Sequence, residues 1–200
     1  MKLYCATGNP GKLREFGLAG HVLNIDVEPL PGLKTLEAPE ETGNTFEANA
    51  ILKAEYYSQF ADGPLFADDS GLAVDALGGA PGVLSARYAE TGLSGHDADE
   101  ANNQLVLKNL ARLADTNPDR TARFVCVIAL AEKGKLIQTF RGEVVGELLH
   151  EAKGPGGFGY DPLFYYPPFG CTFGEAASER KFDVSHRGNA LRQMLQYLTR

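Results

Sequence analysis

The sequence predicts an α/β fold built on a mixed β-sheet. Three observations carry that prediction. A short apolar strand near the N-terminus runs directly into a capped helix, helical periodicity recurs near the middle and at the C-terminus, and two long β-rich runs are joined by Glu132-Lys133-Gly134-Lys135. A hairpin in the same chain as strand–helix crossovers calls for both parallel and antiparallel pairs in one sheet.

The chain has 200 residues, 44% hydrophobic and 22% charged, which suffices for a single domain over 1–200 with one substantial core or two small lobes. Its 19 basic and 26 acidic residues give a net charge of -7, which argues against a nucleic-acid or anionic-membrane surface as the main partner. No apolar run approaches the roughly 18 residues of a membrane span, and the N-terminus lacks the apolar core of a signal peptide. Cys5, Cys126 and Cys171 are widely spaced, and no Cys/His cluster has zinc spacing. The expectation is a cytoplasmic protein with reduced cysteines.

Leu3 to Ala6 reads as a buried strand that breaks at Thr7, Gly8, Asn9, Pro10, Gly11 and Lys12. Asn9 suits an N-cap and Pro10 the first helical position, with Leu13 and Phe16 following on the helix. Backbone N–H groups at a positive helix end beside a lysine are the parts of an anion site. The spacing is not that of a Walker A loop, because Leu13 follows the lysine where Ser or Thr should stand. On these residues alone, a phosphate site and an ordinary capped helix are both open.

Asn44 followed by Glu47 predicts a capping-box start for a helix over about 45–60. Phe46, Asn49, Ala50, Lys53, Tyr57 and Phe60 then share its inward face. An ammonium there needs a carboxylate or phosphate partner unless it snorkels to water. A further helix over about 98–114, capped at Asp97 or Asp99, shows only packing residues (Asn102, Val106, Leu110 and Leu113). The long runs Thr121–Ala131 and Leu136–Leu149 form the hairpin, with a bend near Gly142 or Gly146.

An apolar run from Pro64 delivers Asp68 and Asp69 into what reads as a Ser70-Gly71 turn. Adjacent acids at the end of a buried strand are costly unless paired or holding a metal ion; facing water, they are a plain acidic turn. In an extended segment the two point to opposite sides. The loop Gly154 to Pro162 alternates glycine with Phe158, Tyr160 and Asp161, offering close backbone approach, flat faces and an acceptor. Ser185 then caps a final helix. His186 and Arg187 occupy its first turn, where cations oppose the helix dipole unless an anion or electron-rich ligand edge is bound there.

Eight segments in order resemble the inosine triphosphate pyrophosphatase family: Thr7-Gly-Asn-Pro-Gly-Lys12, Glu40-Glu-Thr-Gly43, Asn49-Ala-Ile-Leu-Lys-Ala54, Ala67-Asp-Asp-Ser-Gly71, Gly78-Gly-Ala-Pro-Gly82, Ser85-Ala-Arg-Tyr88, Gly156-Gly-Phe-Gly-Tyr-Asp-Pro162 and Ser185-His-Arg-Gly188. The resemblance implies a long, curved mixed sheet flanked by helices, with two lobes and a nucleotide-binding cleft between them. It also implies a homodimer, Mg²⁺ as cofactor, and hydrolysis of a non-standard purine nucleoside triphosphate (ITP, dITP or XTP) to the monophosphate and pyrophosphate. Carried over position by position, Thr7 to Lys12 would hold the triphosphate and Ser70 would touch it. Asp69 would be general base and metal contact, with Glu41, and Glu40 beside it, completing the metal site. Lys53 and Asp68 would support the phosphates and water. Phe158, Gly159, Tyr160, Asp161, Lys181, His186 and Arg187 would form the base pocket.

Overall fold

In the computed structural model, which describes residues 2–22, 25–113 and 119–199, seven strands form one mixed sheet flanked by helices. The strands are β1 (Lys2–Cys5), β2 (Asp26–Pro29), β3 (Leu65–Val74), β4 (Thr121–Glu132), β5 (Lys135–Leu148), β6 (Phe164–Tyr166) and β7 (Cys171–Thr172). The helices are α1 (Pro10–Val22), α2 (Phe46–Tyr57), α3 (Gly95–Ala111), α4 (Ser178–Val184) and α5 (His186–Leu198). The sheet order is β2-β1-β3-β4-β5-β6-β7. β1 pairs in parallel with β2 and β3, whereas β5–β6 and β6–β7 are antiparallel. The two residues between β4 and β5, Lys133 and Gly134, both take positive φ (51° and 78°), as a tight hairpin requires.

The residues sort into two compact units, and β3, β4 and β5 contribute to both. The first comprises Met1–Ser70, Cys126–Glu143 and Ser185–Arg200. Tyr4, Ala6, Leu30, Ala50, Ala54, Tyr57, Leu65, Ala67, Val127, Ala129 and Ala131 form a core cluster inside it. The second comprises Gly71–Val125 and Val144–Val184. Its core joins Leu72, Val74, Val106 and Leu110 to a group of rings from Phe124, Tyr160, Phe164 and Phe173.

Several local expectations are corrected. β3 does not turn at Ser70-Gly71 but runs on to Val74. Gly71 is needed for close approach, since a Cβ there would collide with the Ser85 hydroxyl and lie 2.7 Å from the Gly82 carbonyl. Gly142 and Gly146 both lie within β5, as the sequence reads, and a Cβ at Gly142 would strike the His186 carbonyl. α2 begins after Thr45, whose hydroxyl accepts the Ala48 N–H at 3.1 Å, so Asn44 is not its cap. α2 ends at Tyr57 and a 3₁₀ turn over Ser58–Phe60 follows, which leaves Phe60 half exposed at 50%. α3 starts after Ser94, earlier than expected, and Leu113 lies beyond its end; residue 114, the expected end of this helix, is outside the described residues. Cys5 and Cys126 are buried and, with Cys171, unbridged. No helix among the described residues is long and apolar enough to cross a membrane.

Candidate active site

The first unit gathers its charged groups from four local structures. Pro10 opens α1, and the Asn9 side chain caps it by accepting the N–H groups of Gly11 (2.8 Å) and Lys12 (3.2 Å). The Thr7 hydroxyl accepts the Asn9 N–H at 3.2 Å. Of the two readings the sequence leaves open, the capped helix is the one seen: the Asn9, Gly11 and Lys12 amides are engaged by side chains of the same turn. Lys12 reaches from this turn to Asp68, Nζ to Oδ2 at 2.7 Å.

β3 carries the two acids out of a fully buried Leu65-Phe66-Ala67 run. Alternation along the strand sends them to different partners. Asp68 meets Lys12 and, two residues on, the Ser70 hydroxyl, which donates to its Oδ2 at 3.2 Å. Asp69 meets α2 instead: Lys53 Nζ lies 3.0 Å from its Oδ1, and the Asn49 amide donates to its Oδ2 at 3.3 Å. Lys53 also bridges to Glu41 Oε1 at 3.1 Å, while Glu40 is exposed. Asn49 accepts the Gly43 N–H at 2.8 Å, so one buried amide ties the Glu41–Gly43 segment to Asp69.

α5 supplies the last cation. Ser185 caps it by accepting the Gly188 N–H, and Arg187 projects from its first turn. Arg187 Nη2 donates to the Ser70 hydroxyl at 3.0 Å and Nη1 pairs with Glu15 Oε2 at 3.1 Å. His186 beside it is 1% exposed. A continuous polar chain thus runs Glu15–Arg187–Ser70–Asp68–Lys12. Sequence reasoning did not single out Glu15 or Asn49 as site residues. Asn49 had a signal, an amide on the inward face of an apolar helix stripe; Glu15 had none, because its partner lies 172 residues away.

These contacts split the electrostatics of the two acids. Burial pushes the Asp68 carboxyl up, but Lys12 foremost, then Arg187 and Lys53, outweigh it and hold the group below the ordinary aspartate range. Burial also pushes Asp69 up; Lys53 opposes this, Glu41 adds to it, and the carboxyl ends above the ordinary range. Lys53 is desolvated as well, yet Asp69, Asp68 and Glu41 raise its pKa. The two neighbouring acids are thus shifted in opposite directions, Asp68 downward and Asp69 upward.

The donor set fits a hard cation. Glu41 and Asp69 offer oxygens around a point that already holds the positive charge of Lys53, and oxygen ligands suit magnesium. Among the described residues no group of three or more His, Cys, Asp or Glu could hold a metal ion by itself. Two carboxylates with the remaining positions left to substrate phosphates and water is how magnesium is commonly bound.

The second unit holds the aromatic loop. Lys181, on α4, is buried and pairs with Asp161, Nζ to Oδ2 at 2.7 Å. The same oxygen accepts the Phe158 N–H at 2.8 Å, and the Lys181 ammonium lies 5.2 Å from the Phe158 ring centroid. Tyr160 differs from its expected part as an open flat face. Its ring belongs to the core cluster, its hydroxyl donates to the Ser85 carbonyl at 2.7 Å, and burial raises its pKa. Phe158 is the partly exposed ring of the loop. α3, read from sequence as packing alone, also reaches this loop: Asp99 accepts the Gly159 N–H and Asn103 donates to the Gly159 carbonyl.

Comparison with known proteins defines the class to which this fold and these groups belong. The Ham1 family profile matches residues 3–197. The chain is 49% identical to the dITP/XTP pyrophosphatase of Acidobacterium capsulatum, covering 99% of this chain and 98% of that protein. It is 46% identical to the protein of the same name from Listeria monocytogenes, over 96% of this chain and 92% of that one. A HAM1 protein structure from Coxiella burnetii superposes with a TM-score of 0.86 at 39% identity, covering 100% and 98% of the two chains. The Staphylococcus aureus Ham1 protein gives 0.83 at 38%, with the same coverage. The chain belongs to the Ham1 family.

Proposed function

We propose that the protein is a magnesium-dependent nucleoside triphosphate pyrophosphohydrolase acting on non-standard purine nucleotides (dITP, ITP and XTP), by the reaction NTP + H₂O → NMP + pyrophosphate. The name of its relatives supports the substrate class. The observation that carries the chemistry is Asp69: a buried carboxylate with a raised pKa, fixed by Lys53 beside Glu41.

In this reading the turn Thr7 to Lys12 takes the phosphates. The side chains that now satisfy its amides would yield to phosphate oxygens, and Lys12 adds a point charge where the transition state gains negative charge. Ser70, already held by Arg187, contacts the substrate. Glu41 and Asp69 would hold Mg²⁺, with Glu40 beside them, and the ion would neutralise charge on the leaving pyrophosphate. Asp69 orients the water and accepts its proton, while Lys53 and Asn49 keep the carboxylate aimed. Asp68 remains ionised and holds Lys12 and Ser70 in place.

Phe158 offers the ring on which the base stacks, with the Gly159–Asp161 segment and Lys181 supporting it. Hydrogen-bond donors, with His186 and Arg187 assigned to the same task, favour a 6-oxo purine over the 6-amino group of adenine, because a buried donor left unpaired costs free energy. The reading also makes the protein a cytoplasmic homodimer, for which a measured mass of twice the 21.5 kDa chain is expected. Its test is a panel of nucleoside triphosphates with Mg²⁺: dITP, ITP and XTP should be turned over in preference to ATP, and equal turnover of all would overturn the substrate assignment.

A further inference from the structure

α3 is the one long helix whose polar residues the proposed chemistry leaves without work. It runs from Gly95 to Ala111 and buries Val106 and Leu110 in the core of its unit. On the same helix, one turn apart, stand Asp99 and Asn103. Both are aimed at a single residue. Asp99 Oδ2 accepts the Gly159 N–H at 2.8 Å, and Asn103 Nδ2 donates to the Gly159 carbonyl at 3.1 Å.

Those two groups belong to different peptide planes. The Gly159 N–H lies in the plane that joins Phe158 to Gly159, and the Gly159 carbonyl in the plane that joins Gly159 to Tyr160. Gly159 has a left-handed φ of 62° and no side chain, so nothing in the residue itself would hold either plane. The plane before Phe158 is fixed by the bond from its N–H to Asp161. With Asp99 on the following plane, the backbone on both sides of Phe158 is set. Asn103 does the same on the far side of Gly159, and Tyr160 is anchored beyond it through its hydroxyl on Ser85.

Asn103 is 4% exposed, and its Oδ1 has no hydrogen-bond partner among the described residues. An apolar side chain of equal size would fill that place without stranding an acceptor. Among the described residues, the side-chain amide of Asn103 donates to the Gly159 carbonyl.

We propose that Asp99 and Asn103 are positioning residues for nucleotide selection, gripping Gly159 from α3 so that the Phe158 ring is presented in one orientation to a purine base. The inference rests on the assignment of Phe158 as the stacking ring. It separates binding from chemistry, because neither residue belongs to the group around Asp69. Loss of either grip loosens the Phe158–Tyr160 backbone, which the 3.3 Å bond from the Asp161 N–H to the Phe158 carbonyl still restrains in part, and the base then bears the cost of ordering it on binding. KM rises and kcat stays.

The test uses the full chain with Mg²⁺ and dITP, comparing Asp99→Ala, Asp99→Asn and Asn103→Leu with the wild type. For Asp99→Ala and Asn103→Leu, KM should rise about tenfold with kcat within about twofold, the size expected for one lost hydrogen bond felt only in binding. Asp99→Asn keeps an acceptor for the Gly159 N–H and should restore KM to within about threefold. If the helix merely supports the fold, Asp99→Ala and Asn103→Leu lower the thermal midpoint and the apparent kcat while KM stays put, and that result overturns the inference. An active wild type whose variants keep both constants overturns it too. A wild type inert toward dITP instead removes the functional reading on which the inference stands, and the inference with it.

Discussion

Lys53 Nζ stands 3.0 Å from Asp69 Oδ1 while touching Glu41 at 3.1 Å, so one ammonium holds together the two carboxylates assigned to magnesium and water. The pair spans an α2-to-β3 separation of 16 residues and both partners are largely buried. Burial and Glu41 push the Asp69 proton affinity up, and Lys53 limits the rise.

Asp69→Asn keeps the size and polarity of the side chain and removes its basicity. It should lower kcat by about 10²–10⁴, the usual contribution of a positioned general base, while the chain still folds cooperatively because Lys53 keeps Glu41 as a partner. Steady-state rates beside a melting curve check this, and retained turnover in a folded variant removes Asp69 from its role.

Asp68→Asn tests the acid shifted downward. Asp68 is 1% exposed at its side chain and its partner Lys12 is 16% exposed, so breaking the pair should cost near the lower end of the roughly 3–5 kcal/mol seen for buried pairs. Because the folded state depresses the Asp68 pKa, its stabilisation is present above the ordinary aspartate range and lost as pH falls through the depressed value. Urea midpoints of wild type and variant should therefore differ at neutral pH and converge in strong acid. A difference independent of pH would contradict the charge assignment.

Lys181 and Asp161 are 6% and 3% exposed at their side chains, which makes theirs the more deeply buried pair. Lys181→Met removes the counter-charge of a buried carboxylate and should cost about 3–5 kcal/mol. Asp161→Asn combined with Lys181→Met removes both charges and leaves an oxygen for the Phe158 N–H, so the double variant should be more stable than the sum of the two single losses predicts. Additive losses in denaturant titrations would show that the two groups are not coupled.

Much of this arrangement is legible from local chemistry. The Asn9-Pro10 start of α1 is written in adjacent residues, and the divergence of Asp68 from Asp69 follows from strand alternation. The inward lysine of α2 could be placed from helical spacing, although its partner could not. The rest depended on distant chain. Ser70-Gly71 reads as a turn until Ser85 and Gly82 are seen to occupy the space a Cβ at Gly71 would need. Tyr160 reads as a loop ring until Ser85 takes its hydroxyl. Nothing near Arg187 in sequence announces Glu15 or Ser70, and nothing near Gly159 announces α3.

Arg187→Ala separates two jobs for this cation. As a reader of the base, its loss should lower the preference for ITP over ATP by about tenfold or more, since one donor to the 6-oxo group disappears. Its contacts with Ser70 and Glu15 also predict a fall in turnover for both nucleotides. Rates on ITP and ATP measured side by side distinguish these effects, and a uniform loss with selectivity intact would confine Arg187 to holding Ser70.

The most direct test of the central claim follows oxygen from water into product. Hydrolysis of dITP in ¹⁸O-labelled water with Mg²⁺ should yield dIMP carrying the label and unlabelled pyrophosphate, resolved by mass spectrometry, as attack at the α-phosphorus by the Asp69-held water requires. Label in pyrophosphate, or release of dIDP and orthophosphate, would contradict it.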